Sequence, residues 1–123
     1  LRVSSPVQAT VRRAARDIDV SGQRIDEGQR VVVWLAAANR DPEQFPDPLT
    51  FDVARTPNRH ISFGMGIHFC LGAPLARLEA KIAWEELLKR ATNFRLVTDA
   101  PLQRVPTFIM RGVTSLPVAF DPR

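Results

Sequence analysis

One stretch concentrates the residues that can do chemistry: Phe63-Gly64-Met65-Gly66-Ile67-His68-Phe69-Cys70-Leu71-Gly72. Cys70 is the only cysteine in the 123 residues, so it has no internal disulfide partner, and a zinc site built on several cysteines is excluded. It stands just ahead of a strong helix signal. Unpaired N–H groups and the positive dipole end of a helix N-terminus favour an anion there, hence the thiolate form of a cysteine. Gly64, Gly66 and Gly72 permit backbone angles and close approaches denied to other residues, a freedom that a flat macrocycle lying against the backbone would need. Phe63 is positioned to cover the sulfur side and keep water off. The pattern describes a tight loop offering one thiolate to a soft metal centre. The plain alternative is a small buried core thiol.

The elements that must hold this loop follow from pattern. Residues 72–91 are the clearest helix: Leu71, Leu75, Leu78 and Ile82 recur at three/four spacing, Leu87, Leu88 and Ala91 continue the face, and Pro74 falls in the first turn, where its missing N–H costs nothing. Upstream, Val7 to Val11 is extended in character. Asp17 to Val20 and Arg24-Ile25 predict a hairpin around a Ser21-Gly22-Gln23 turn, and Asp26-Glu27-Gly28 a second turn. Arg30 to Trp34 reads as a central strand, and Leu35 to Arg40 as about one and a half helical turns stopped by Asp41-Pro42. Residues 41–60 carry Pro42, Pro46, Pro48 and Pro57, which forbid regular structure. Phe45, Leu49 and Phe51 are expected to anchor this long loop on the body. After Asn93 the chain predicts short strands and turns, ending in Leu116 to Phe120. The fold class is mixed α and β.

Composition narrows the function classes. At 45% hydrophobic and 24% charged the chain is ordinary for a globular protein, and 123 residues make at most one domain. The net charge of +4 comes almost entirely from arginines scattered among acids rather than gathered in a basic stripe, which argues against nucleic acid as a partner. The longest apolar run, Val31 to Ala38, is far short of a membrane span and reads as a buried strand entering a helix. The start, Leu1-Arg2-Val3-Ser4-Ser5-Pro6, has no apolar leader core and no initiator Met, and reads as part of a longer chain.

Phe-Gly-x-Gly-x-His-x-Cys-x-Gly resembles the cysteine-ligand loop of the cytochrome P450 family. A chance match of Phe63, Gly64, Gly66, Cys70 and Gly72 is on the order of one in a million per start, at about one in fifteen per position. The resemblance runs along the chain. Ala73-Pro74-Leu75-Ala76-Arg77-Leu78-Glu79 is similar to the helix after the ligand in the bacterial soluble branch. Ala38-Asn39-Arg40-Asp41-Pro42, Phe45-Pro46-Asp47-Pro48 and Phe51-Asp52 look like the family's meander, and Asn58 to Ser62 lead into the loop. Arg2 with Ser5-Pro6-Val7 looks like the end of the Glu-x-x-Arg helix, whose glutamate would precede Leu1.

The resemblance implies a set of roles. Residues 1–123 would be the C-terminal, haem-binding part of the mainly helical P450 fold, with the oxygen-activating helix outside the sequence. Cys70 would be the axial ligand of haem b (iron protoporphyrin IX). Arg12, five before Asp17, and His68, two before the cysteine, would bind haem propionates through charge-assisted hydrogen bonds; Arg13 is the off-by-one alternative to Arg12. Phe63, Gly64, Gly66 and Gly72 would complete the loop against the cofactor. His60 reads as a packed, hydrogen-bonded histidine, and Arg77, Lys81 and Lys89 as either the border of a redox-partner face or ordinary solvated charges. The implied activity is a cytoplasmic haem-thiolate monooxygenase, placing one oxygen atom of O₂ into a small organic substrate with electrons from a ferredoxin-type or flavoprotein donor. A haem-thiolate peroxygenase or rearrangement enzyme would share the loop. A third reading is a non-catalytic truncated fragment, inactive by itself and exposing the apolar face that the rest of a P450 would cover.

Overall fold

The structure is a computed structural model that describes residues 1–123. The chain forms two compact units: Leu1–Ser62 with Thr107–Arg111, and Phe63–Pro106 with Gly112–Arg123.

In the first unit, β1 (Thr10–Arg13) pairs antiparallel with β4 (Arg30–Val33), and β2 (Ile18–Val20) with β3 (Gln23–Ile25). The β2–β3 turn is two residues long, Ser21 at φ 52° and Gly22 at φ 80°, the left-handed pair that suits the twist of a hairpin. Gln23, expected in the turn, is therefore the first residue of β3. Asp19 closes the turn by accepting the Gly22 N–H at 2.9 Å. The segment 107–111 returns beside residues 6–9: Ile109 C=O accepts the Gln8 N–H, and Arg111 N–H donates to Pro6 C=O at 2.7 Å. Helix α1 (Leu35–Ala38) is one turn long and buries Leu35.

Other expectations fail in this unit. The 30–34 run is not a central strand and the 31–38 run is buried only at Leu35. β4 has β1 as its sole strand partner, and a two-stranded ribbon lacks the covering layers that bury both faces; Val32, Val33 and Trp34 stay exposed. In the long loop only Phe45 is an anchor. Leu49 is 70% and Phe51 80% exposed, because polar contacts to the loop backbone, described below, take the place of apolar ones.

In the second unit, α2 (Ala73–Arg90) runs directly into β5 (Ala91–Leu96), which pairs antiparallel with β6 (Val118–Pro122) around an irregularity between Thr92 and Arg95. Asn93 sits there at φ 51° and donates from its side chain to Asp121 at 2.8 Å. The strand thus begins earlier than the sequence suggests. The periodic helix is present with Pro74 in its first turn, yet its apolar face (Leu75, Leu78, Ile82, Leu87 and Leu88) is exposed throughout, as is Trp84. The buried apolar residues of the whole chain are Ala9, Ala14, Leu35, Phe45, Ala73 and Ala91, mostly small. No helix is long and apolar enough to cross a membrane.

Candidate functional site

The loop before α2 is shaped by two left-handed glycines. Gly64 has φ +74° and Gly66 φ +67°. A Cβ on Gly64 would stand 3.1 Å from the His68 carbonyl oxygen, whereas at Gly66 it would meet open space. Residues 66–68 then make one 3₁₀ turn, closed by the Phe69 N–H donating to Gly66 C=O at 3.0 Å. The Cys70 N–H donates back to Phe63 C=O at 2.8 Å, and Cys70 C=O accepts the Ala73 N–H at 3.1 Å. The loop is therefore pinned at both ends of its last turn, and Gly72 caps α2.

Gly72 departs from the expectation. Its φ is −80°, an ordinary angle, and a Cβ there would lie 3.9 Å from the Cys70 sulfur, an ordinary van der Waals contact. Phe63 is held by its neighbours in the loop and on α2. Its ring packs against Phe69, with centroids 6.4 Å apart, and under the Arg77 guanidinium at 4.7 Å, while Cys70 remains an exposed free thiol. His68 is exposed on the 3₁₀ turn. Phe63, Gly64, Gly66, His68, Cys70 and Gly72 thus lie together in one unit. Arg12 belongs to the other unit, exposed on β1 opposite Val31, with its guanidinium on the neighbouring Val11 carbonyl at 2.9 Å. Arg13, its alternative, faces Arg30 across the ribbon.

The first unit holds a polar hub that the sequence did not announce. Asn39, fully buried, donates to the Ser62 hydroxyl at 2.9 Å and accepts the Ile61 N–H at 2.8 Å. Ser62 donates to Leu1 C=O at 3.2 Å, and its N–H reaches His60 Nδ1 at 3.3 Å. His60 is thus hydrogen-bonded, as expected, though only half-buried. Arg2, buried, donates to the carbonyls of Asn39 (3.0 Å), Pro48 (2.7 Å) and Thr50 (3.1 Å) and lies 5.0 Å over the Phe45 ring. Burial pushes its pKa down, and Arg55 and Arg40 push in the same direction, with Asp52 opposing. Arg55 donates to Pro46 and Asp47 carbonyls, and its Nε is buried without a partner. The signal for the hub was present as Asn39 within Ala38-Asn39-Arg40-Asp41-Pro42, but nothing local marks an asparagine as buried.

The donor set fits a haem iron. One exposed thiol at the tip of a short, backbone-locked turn is a single soft ligand, and three glycines leave the backbone around it bare, with the sulfur flank open at Gly72. No cluster of His, Cys, Asp or Glu offers a different metal site.

Comparison with known proteins points the same way. The family model described as Cytochrome P450 matches residues 1–119. Over 121 residues the chain is 48% identical to the biotin biosynthesis cytochrome P450 of Bacillus subtilis, covering 98% of this chain and 30% of that protein. It is 43% identical over 122 residues to the 6-deoxyerythronolide B hydroxylase of Saccharopolyspora erythraea, again covering 98% and 30%. Among solved structures, P450BioI, in complex with an acyl carrier protein ligated to hexadec-9Z-enoic acid, superimposes with a TM-score of 0.92 at 47% identity, over 98% of this chain and 31% of that one. The chain therefore spans about 30% of the length of the curated relatives it matches.

Proposed function

The chain belongs to the cytochrome P450 family, and from that premise we propose that residues 1–123 form the C-terminal, haem-binding part of a haem-thiolate monooxygenase acting on a small organic molecule. One observation carries the reading: the sole cysteine is an exposed thiol fixed by its own backbone, its N–H donating to Phe63 C=O and its C=O accepting the Ala73 N–H, at the end of a turn whose left-handed angles favour glycine.

Haem, when bound, supplies oxygen activation; the residues supply holding and tuning. Cys70 Sγ would hold the haem iron as its thiolate. The glycines at 64 and 66 shape the turn that presents it, and Gly72 leaves its flank free. His68 and Arg12 are the donors we assign to the propionates, whose anionic oxygens make such hydrogen bonds charge-assisted. Electrons come from a separate ferredoxin-type or flavoprotein donor, and the cytoplasm is the setting we assign.

The test is a carbon monoxide difference spectrum of the reduced, haem-loaded full-length protein beside Cys70→Ser. A strongly red-shifted Soret band in the parent, lost in the variant, is the expected result. An unshifted band in the parent overturns thiolate ligation. The same band obtained with the 123-residue chain alone would show that this part retains haem unaided.

A further inference from the structure

The four basic residues of α2 do not share one role. Lys81 faces Glu85 at 3.9 Å, while Lys89 and Arg90 hold Glu86 at 2.8 and 2.9 Å. Arg77 has no carboxylate partner. Its guanidinium lies instead 4.7 Å from the centroid of the Phe63 ring. That ring also leans on Phe69, at 6.4 Å and 57°, and the Phe63 carbonyl accepts the Cys70 N–H at 2.8 Å. The residue that opens the loop is thus gripped by the residue before Cys70, by Cys70 itself and by a cation seven positions later.

The geometry points to Arg77 as a positioning residue for the Cys70 ligand: it clamps the Phe63 ring and, through the Phe63 carbonyl, fixes the Cys70 amide and the setting of the thiolate. Guanidinium chemistry suits this task. It is planar, permanently charged and weakly hydrated, so it stacks where a lysine ammonium would stay in water. The face of the ring is the negative part of its quadrupole and attracts the cation. A positive charge held there also favours the more negative, reduced state of a thiolate-bound metal. That electronic half rests on the haem-thiolate reading above; the clamp itself does not.

Two measurements on the full-length protein separate these parts: hydrogen exchange of the Cys70 amide, with and without haem, and the reduction potential of the haem-loaded form. An exposed cation–ring contact corresponds to about a two- to fivefold change in an equilibrium constant. Arg77→Gln is therefore expected to speed Cys70 amide exchange about two- to fivefold and to lower the potential, since a positive charge near the thiolate is lost. Both effects should vanish in a Phe63→Leu background, and Lys81→Gln should produce neither. If Arg77→Gln has the same effects without the Phe63 ring, or Lys81→Gln matches it, only net charge is at work and the clamp is overturned; unchanged exchange overturns it equally. A parent lacking the red-shifted carbon monoxide band would sink the haem reading, while amide exchange would still decide the clamp.

Discussion

Replacing Gly64 by alanine should damage the ligand loop more than the same change at Gly66, and the difference can be worked out in advance. Both glycines occupy left-handed backbone, φ +74° and +67°, so either alanine incurs the left-handed penalty of about 1–2 kcal/mol. Only at Gly64 does the new methyl meet something: the His68 carbonyl oxygen at 3.1 Å, with the His68 carbonyl carbon at 3.8 Å and Phe69 Cα at 4.0 Å. All three are backbone, held by the Phe69 N–H to Gly66 C=O and Cys70 N–H to Phe63 C=O bonds, and cannot rotate away as a side chain would. Overpacking of that kind adds about 1–3 kcal/mol. Gly64→Ala should therefore cost roughly 2–5 kcal/mol and Gly66→Ala roughly 1–2 kcal/mol. Guanidinium unfolding midpoints of the haem-free full-length protein, with m-values checked for constancy, give the comparison. Haem release should quicken in the same order. Equal losses, or a larger loss at Gly66, would refute the claim that the His68 carbonyl sets the constraint.

Other substitutions test the hub and the helix end. Arg2→Lys should cost about 3 kcal/mol, because a point ammonium cannot serve the carbonyls of residues 39, 48 and 50 together; denaturant unfolding checks this. Asn39→Ala leaves the part-buried Ile61 N–H without its acceptor and removes the buried donor to Ser62, for about 2–4 kcal/mol by the same assay. The Glu86 pKa lies below the usual glutamate range, chiefly through its hydrogen bond from Lys89. A depressed folded value means the stabilisation is fully present above the ordinary glutamate pKa and is lost as pH falls through the folded one. In an NMR titration Lys89→Met should raise the Glu86 pKa, and an unchanged value would refute that cause.

Local backbone geometry was more legible in the sequence than packing. Cys70 and its glycines could be read because the turn is made by local backbone geometry, which residue type controls directly. The hairpin was legible for the same reason, its Ser21-Gly22 turn being a local device. Helix α2 announced itself by the spacing of its leucines, but that spacing reports a face and not what covers it; Leu75, Leu78 and Ile82 are exposed. Leu49 and Phe51 were expected to anchor the proline-rich loop as apolar residues. Arg2 does so instead, through carbonyls 46 and 48 positions away, a partnership no local pattern encodes. Arg77 was visible only as a charge until its distance to Phe63 was known.

The hub has a consequence for the order in which the chain folds. Its bonds made by Arg2 and Asn39, and that from Ser62 to Leu1, join residues from 22 positions apart, Asn39 to Ile61, up to 61 apart, Ser62 to Leu1. Each needs a long loop closed before any bond rewards it, whereas the β2–β3 hairpin and α2 need only neighbours and form on the microsecond scale. We predict that the hub is still unformed in the folding transition state. Contacts absent from the transition state act on unfolding, so Asn39→Ala should speed the escape from the native state while leaving the folding rate nearly unchanged. A cluster that does little to help the chain find its structure then governs how long the structure lasts.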